Sequence, residues 1–165
     1  MGGTIRTTPR RLAILVAAVF AVMLASGSGV ASARFTDREA KVSTRVAHDY
    51  WHSLDPEIFD RPGYHCDTGN VLLDWLRNLG SAMALADLWG CRDATPTIQL
   101  ERPTIRGLSD VGACGIVTHE YGHLLGYRHV ARRRHVMSGA SSQGETPPRR
   151  ATWRRAWRRC ARRLG

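Results

Sequence analysis

The chain has 165 residues, enough for one domain with a modest core and too few for several. Its 24 Lys and Arg against 14 Asp and Glu give a formal charge of +10. Twelve arginines and a single acid, Glu145, fall within residues 128–165, so the excess describes one face or tail and not the fold.

Residues 1–33 read as a secretory signal. Arg6, Arg10 and Arg11 form a basic n-region, residues 12–25 an apolar run, and Ala31-Ser32-Ala33 a small-residue cleavage motif. Cleavage near Ala33-Arg34 would leave residues 34–165 as the mature, secreted domain. The apolar run is shorter than the ~18 to 20 residues a bilayer requires, which argues against a membrane anchor. Arg10-Arg11 also fits twin-arginine export, although paired arginines are common in n-regions.

All four cysteines, Cys66, Cys91, Cys114 and Cys160, follow that segment. An even count in a small exported chain implies disulfides. Three pairings are possible. Cys66–Cys91 with Cys114–Cys160 is favoured, the second tying the start of a helix described below to the C-terminal segment.

Residues 35–54 predict an amphipathic helix. Thr36 and Glu39 have capping-box spacing, with Phe35 placed for a hydrophobic staple. Val42, Val46, Tyr50 and Leu54 form a stripe, with Ala47 and Trp51 beside it. His48 and His52 share a face one turn apart. They could begin a second metal site, but no third ligand is evident nearby, and two helix-surface histidines are the plainer reading.

Residues 55–70 carry Pro56, Pro62, Gly63 and Gly69 and read as loop. Residues 71–76 suit a strand, whereas residues 82–89 hold helix formers, and pattern alone does not decide between the two. Thr97, Gln99 and Glu101 alternate with Ile98 and Leu100, as in a half-exposed strand. Pro96 and Pro103 bracket it as they would an edge strand.

Ser109 or Asp110 can cap a helix running to about Leu125, anchored through Ile116, Val117, Leu124 and Leu125. This helix carries His119-Glu120-Tyr121-Gly122-His123. Positions i and i+4 stack on one face, so His119 and His123 can aim two imidazoles at one metal ion. Glu120 then stands beside the ion, where a carboxylate can take a proton from water. At this chain's His and Glu frequencies the five-residue motif would arise by chance in about one percent of such chains; Gly126 and His129 lower that to a few in ~100,000, so the extension carries the signal. It also has a physical sense. Gly126 can turn the chain at the helix end, and His129 follows as a third ligand. His135 is an alternative third ligand, less favoured by its spacing from Gly126.

His119-Glu120-x-x-His123-x-x-Gly126-x-x-His129, followed by Val136-Met137-Ser138-Gly139, resembles the metzincin clan of zinc endopeptidases. The short spacing from His129 to Met137 is similar to that of matrixin-like members. The Met-Ser-Gly ending and the small size also resemble the snapalysin type, which carries Asp where this chain has His129. The resemblance covers roughly residues 95–139. It implies an α+β fold: a small single-domain zincin with a mixed sheet, an active-site helix, a methionine turn at Met137 and a C-terminal helix. It also implies a strand within residues 71–89, and an edge strand at residues 97–101 that would hold an extended substrate. Some members place a tyrosine two residues after the methionine; here that position is Gly139. Residues 61–67, around Cys66, faintly resemble the latency motif of matrixin pro-segments, with Cys66 as a thiolate on the metal, but the residue order differs.

Residues 141–148 form a polar turn region. Residues 151–164 then predict a basic amphipathic helix, with Trp153, Ala156, Trp157, Cys160 and Leu164 in one stripe and six arginines around it. The resemblance implies that this helix packs under the active site. The rival is attachment to an anionic envelope polymer or membrane surface.

The resulting expectation is a monomeric, secreted zinc metalloendopeptidase acting on protein or peptide substrates. One catalytic Zn²⁺ would be held by His119, His123 and His129, with Glu120 as general base and Met137 supporting the site. The alternatives are a zinc-binding module without catalysis, which the intact Glu120 argues against, and a polyanion-binding protein whose arginine tail is the function.

Overall fold

A computed structural model describes residues 35–66, 70–80, 82–140 and 143–165. The expected export segment lies outside these residues. Helix α1 spans Asp37–His52. The expected capping box is formed: the Thr36 hydroxyl accepts from the Glu39 amide, and the Glu39 carboxylate accepts from the Thr36 amide. Its buried face is Ala40, Ser43, Thr44, Val46, Ala47, Tyr50 and Trp51, which includes Val46, Tyr50, Ala47 and Trp51 of the expected stripe and extends it over the small residues. Val42 and Leu54 are only half-buried. The reason is that α1 packs on two other helices, and small residues at positions 40, 43 and 47 let them approach. The buried hydroxyls of Ser43 and Thr44 donate to the carbonyls of Glu39 and Lys41, which removes the cost of burying them.

Three strands form one mixed sheet: β1 at Leu72–Leu76, β2 at Ala84–Ala86 and β3 at Thr97–Glu101, in the order β1-β3-β2. β1 runs parallel to β3, from Leu72 opposite Thr97 to Leu76 opposite Glu101. β2 runs antiparallel, with Ala84 opposite Leu100 and Ala86 opposite Ile98. This corrects the expectation of an edge strand at residues 97–101, because β3 is central, with Ile98 and Leu100 buried. The flanking prolines mislead because neither interrupts the ladder. Pro96 uses its carbonyl to accept from Leu72, and Pro103 sits in the first turn of the short helix α2, Arg102–Arg106, where no amide donor is needed. The two edges are β1 and β2, the latter in the stretch rich in helix formers.

Helix α3 spans Asp110–Leu124, with the Ser109 hydroxyl accepting from the Gly112 amide. Val117, Leu124 and Leu125 are buried; Ile116 is half-buried and faces a cleft. The Trp51 indole, buried on α1, donates to the Thr118 carbonyl at 2.9 Å and so ties the two helices together. Helix α4 spans Trp153–Leu164 and packs on α3 and α1. Ala156 and Cys160 are buried, but Trp157 is 49% exposed, so the expected stripe is only partly covered. Arg159 is the one half-buried arginine of α4; it donates to the Asp49 carbonyl and the Ser53 hydroxyl, closing the C-terminus of α1. No helix among the described residues is long and apolar enough to cross a membrane.

The disulfides are Cys66–Cys91 and Cys114–Cys160. No free cysteine remains, so Cys66 is not a latency thiolate. The second bond joins α3 to α4 across 46 residues, a closure that contributes about 4 kcal/mol in the chain-entropy model. The architecture is a small α+β fold in which one buried helix, α3, carries the motif between the sheet and the C-terminal helix.

Candidate metal centre

Helix α3 ends in a tight reversal. The amide of Gly126 donates to the His123 carbonyl, and that of Tyr127 to the Gly122 carbonyl, at 2.8 and 2.9 Å. This pair of bonds is a Schellman cap, and Gly126 takes the left-handed φ of 94° that it needs. A side chain at Gly126 would also strike the Trp89 indole, 2.1 Å from its Cβ position. Trp89 itself has a φ of 62°, and its amide donates to the His123 carbonyl at 3.0 Å. The turn therefore locks the edge-strand segment onto the end of the motif helix.

After the reversal, Val130 donates to the Met137 carbonyl and Gly139 donates back to Val130. These bonds close a loop with Arg132, Arg133 and Arg134 exposed at its tip. They also bring His129 against Gly139, whose missing Cβ would lie 2.6 Å from His129 Cγ. A tyrosine at position 139 has no room. Met137 is fully buried, with its sulfur against Gly122 of α3, between the two helical histidines.

The three histidines converge. His119 Nε2 and His123 Nε2 each lie 2.9 Å from His129 Nε2. The other ring nitrogens define the tautomers. His119 Nδ1 lies 2.7 Å from the Val136 carbonyl, and His123 Nδ1 lies 2.9 Å from the Tyr127 carbonyl. A carbonyl only accepts, so both Nδ1 atoms carry the proton and both Nε2 atoms present lone pairs. Lone pairs aimed at one point repel unless a cation lies among them. The donor set thus fits a metal ion, with backbone carbonyls orienting the ligands. Burial lowers the His119 and His123 pKa values to about 4, and lowers that of His129, so the imidazoles are neutral near pH 7.

Glu120 is 7% exposed and lines the same cleft as the three histidines. Burial pushes its carboxyl up to about 7. The cleft has a volume of about 610 Å³ and is walled by β2, Ile116, Ser138 and Trp153.

His135 is not part of the cluster. Its Nδ1 accepts from the Met137 amide at 3.0 Å, so its Nε2–H donates to the Pro148 carbonyl, also at 3.0 Å. Both nitrogens are occupied, and the ring braces the methionine turn. His48 and His52 stack at 5.8 Å and pack around Phe59. Among the described residues, His119, His123 and His129 are the only group of three donors placed to hold an ion.

The sequence gives no sign of the role of Trp153. Its ring lies parallel to that of His119, at 6.0 Å and 2°, and its indole donates to the Ser138 hydroxyl at 3.1 Å. That position depends on the antiparallel bridge between His135 and Thr152, a long-range contact that helical periodicity does not report. Comparison with protein families, curated proteins and solved structures finds no match.

Proposed function

We propose that this chain is a secreted, zinc-dependent endopeptidase of metzincin-like design. The observation that carries the reading is three imidazole Nε2 atoms converging beside a buried carboxylate on an open cleft. Three imidazoles suit zinc, with His119, His123 and His129 as ligands. Bound there, zinc would act as a Lewis acid that polarises a peptide carbonyl and acidifies water.

The chain's own residues supply the rest. Glu120, with its pKa raised to about 7, is suited to take a proton from water and later give it to the leaving amine. β2 is the outer strand of the sheet that walls the cleft, so its free edge offers backbone donors and acceptors to an extended peptide. Trp153 and Ile116 add apolar surface to the lining of the same cleft. Two disulfides suit an oxidising, extracellular compartment.

A second role is favoured by the five fully exposed arginines of α4: contact with an anionic envelope polymer or membrane surface. It is compatible with the first. Cleavage of denatured casein tests the peptidase reading. Hydrolysis that a chelator stops and added zinc restores is the expected result. Zinc-loaded protein that leaves casein intact would refute it.

A further inference from the structure

Trp153 is shared by two cavities. It lines the metal cleft and also a second cavity of about 490 Å³, shared with Arg133, Arg134, Arg154 and Trp157. The Trp153 and Trp157 rings stack at 5.7 Å. The wall is rigid where it meets the arginine loop, because the Trp153 amide donates to the Arg134 carbonyl at 3.1 Å. Arg133, Arg134 and Arg154 are exposed, and no carboxylate pairs with them among the described residues. Glu145, the only acid in residues 128–165, is held by Arg61 instead.

We propose that this second cavity is a remote substrate subsite that selects an acidic residue in the polypeptide being cut, with Arg133 and Arg134 as its specificity-determining residues. The proposal rests on the peptidase reading. The ring centroids of His119 and Trp153 lie 6.0 Å apart and those of Trp153 and Trp157 lie 5.7 Å apart, so the two cavities are neighbours across Trp153. An extended chain advances about 3.3 Å per residue, so three or four residues reach from one to the other. A polypeptide with its scissile bond in the cleft would therefore bring the third or fourth residue along to the arginines. The accessible parts of Trp153 and the half-exposed Trp157 give the intervening residues an apolar surface, and the unpaired guanidiniums fit a carboxylate in charge and in planar shape. The shared wall favours this occupant over an envelope surface, because only a flexible chain fills both cavities at once.

The test uses the purified exported protein to digest a denatured protein mixture, with the new termini sequenced. Asp and Glu should be enriched at the third or fourth residue on one side of the scissile bond. In matched peptides, Asp at that position should raise kcat/KM about three- to tenfold over Asn at low salt. Arg133→Gln with Arg134→Gln should bring that ratio close to one, whereas Arg162→Gln with Arg163→Gln, at the far end of α4, should not. Cleavage without acidic enrichment overturns the subsite and leaves the peptidase reading standing. Enrichment that survives the Arg133/Arg134 change overturns the residue assignment. Absence of any cleavage overturns both readings. If the double variant loses retention on phosphatidylglycerol vesicles while its cleavage profile is unchanged, the arginines serve a membrane surface and the subsite is wrong.

Discussion

His129 rests on the face of Gly139 where a Cβ would come 2.6 Å from its ring. The third ligand and the end of the methionine turn are thus fitted to each other, and residue 139 must be glycine for His129 to reach the other two imidazoles. Gly139→Ala should move the ring and lower zinc affinity about 10- to 100-fold, as expected for loss of ligand support. Competition with a chromogenic chelator measures this, with circular dichroism to show that the fold persists.

The two candidate third ligands separate by what each loses. His129→Ala should abolish tight metal binding. His135→Ala should keep the metal but leave the buried Met137 amide without its acceptor, at about 1 to 3 kcal/mol of stability. The reverse ranking in metal competition would move the ligand to His135.

The metal-free protein should show a defined pH response. His119 and His123 titrate at about 4 when folded, against 6.5 when unfolded. The folded state therefore binds fewer protons across that window, and stability is lost as pH falls from 6.5 toward 4. Glu120 opposes this. Its pKa is about 7 when folded against 4.5 unfolded, so its contribution falls as pH rises through 4.5 to 7. The two histidines outweigh the one glutamate, and His129 and His135, also lowered by burial, act in the same direction, so stability should rise with pH between roughly 4.5 and 6.5. Glu120→Gln should steepen that slope. Denaturant melts of metal-free protein at several pH values check both statements.

The tryptophans differ in what their removal costs. Trp51 is fully buried with its indole bonded to Thr118, so Trp51→Ala should cost about 3 to 5 kcal/mol. Trp157 is half-exposed, and Trp157→Ala should cost about 1 to 2 kcal/mol, far less than a core aromatic. Thermal or denaturant unfolding ranks them.

The site was more legible than the sheet. Residues 119–129 report their geometry locally, because helical spacing and one glycine turn determine where the imidazoles point. The cap at Thr36 and the Ser109 start of α3 were legible for similar reasons, whereas the disulfides, which span 25 and 46 residues, matched the favoured one of three possible pairings. Strand order was not. Pro96 and Pro103 look like edge markers until the partners of β3 are known, and β2 is three residues long within a run of helix formers. The burial of Ala40, Ser43 and Thr44 on α1 and the position of Trp153 depend on which helices pack against them, which period alone does not encode.

The most direct test of the account is Glu120→Ala, read by zinc content and by peptide turnover on the same sample. Glu120 lies beside the three imidazoles without belonging to them, so the variant should still bind one zinc per chain, since a carboxylate outside the ligand set is not needed to hold it. Peptide hydrolysis should disappear, because among the described residues no other acid lines the cleft to carry the proton. Substantial turnover by the zinc-loaded variant, or loss of its zinc, would contradict the assignment of Glu120 as the proton carrier beside a three-histidine metal centre.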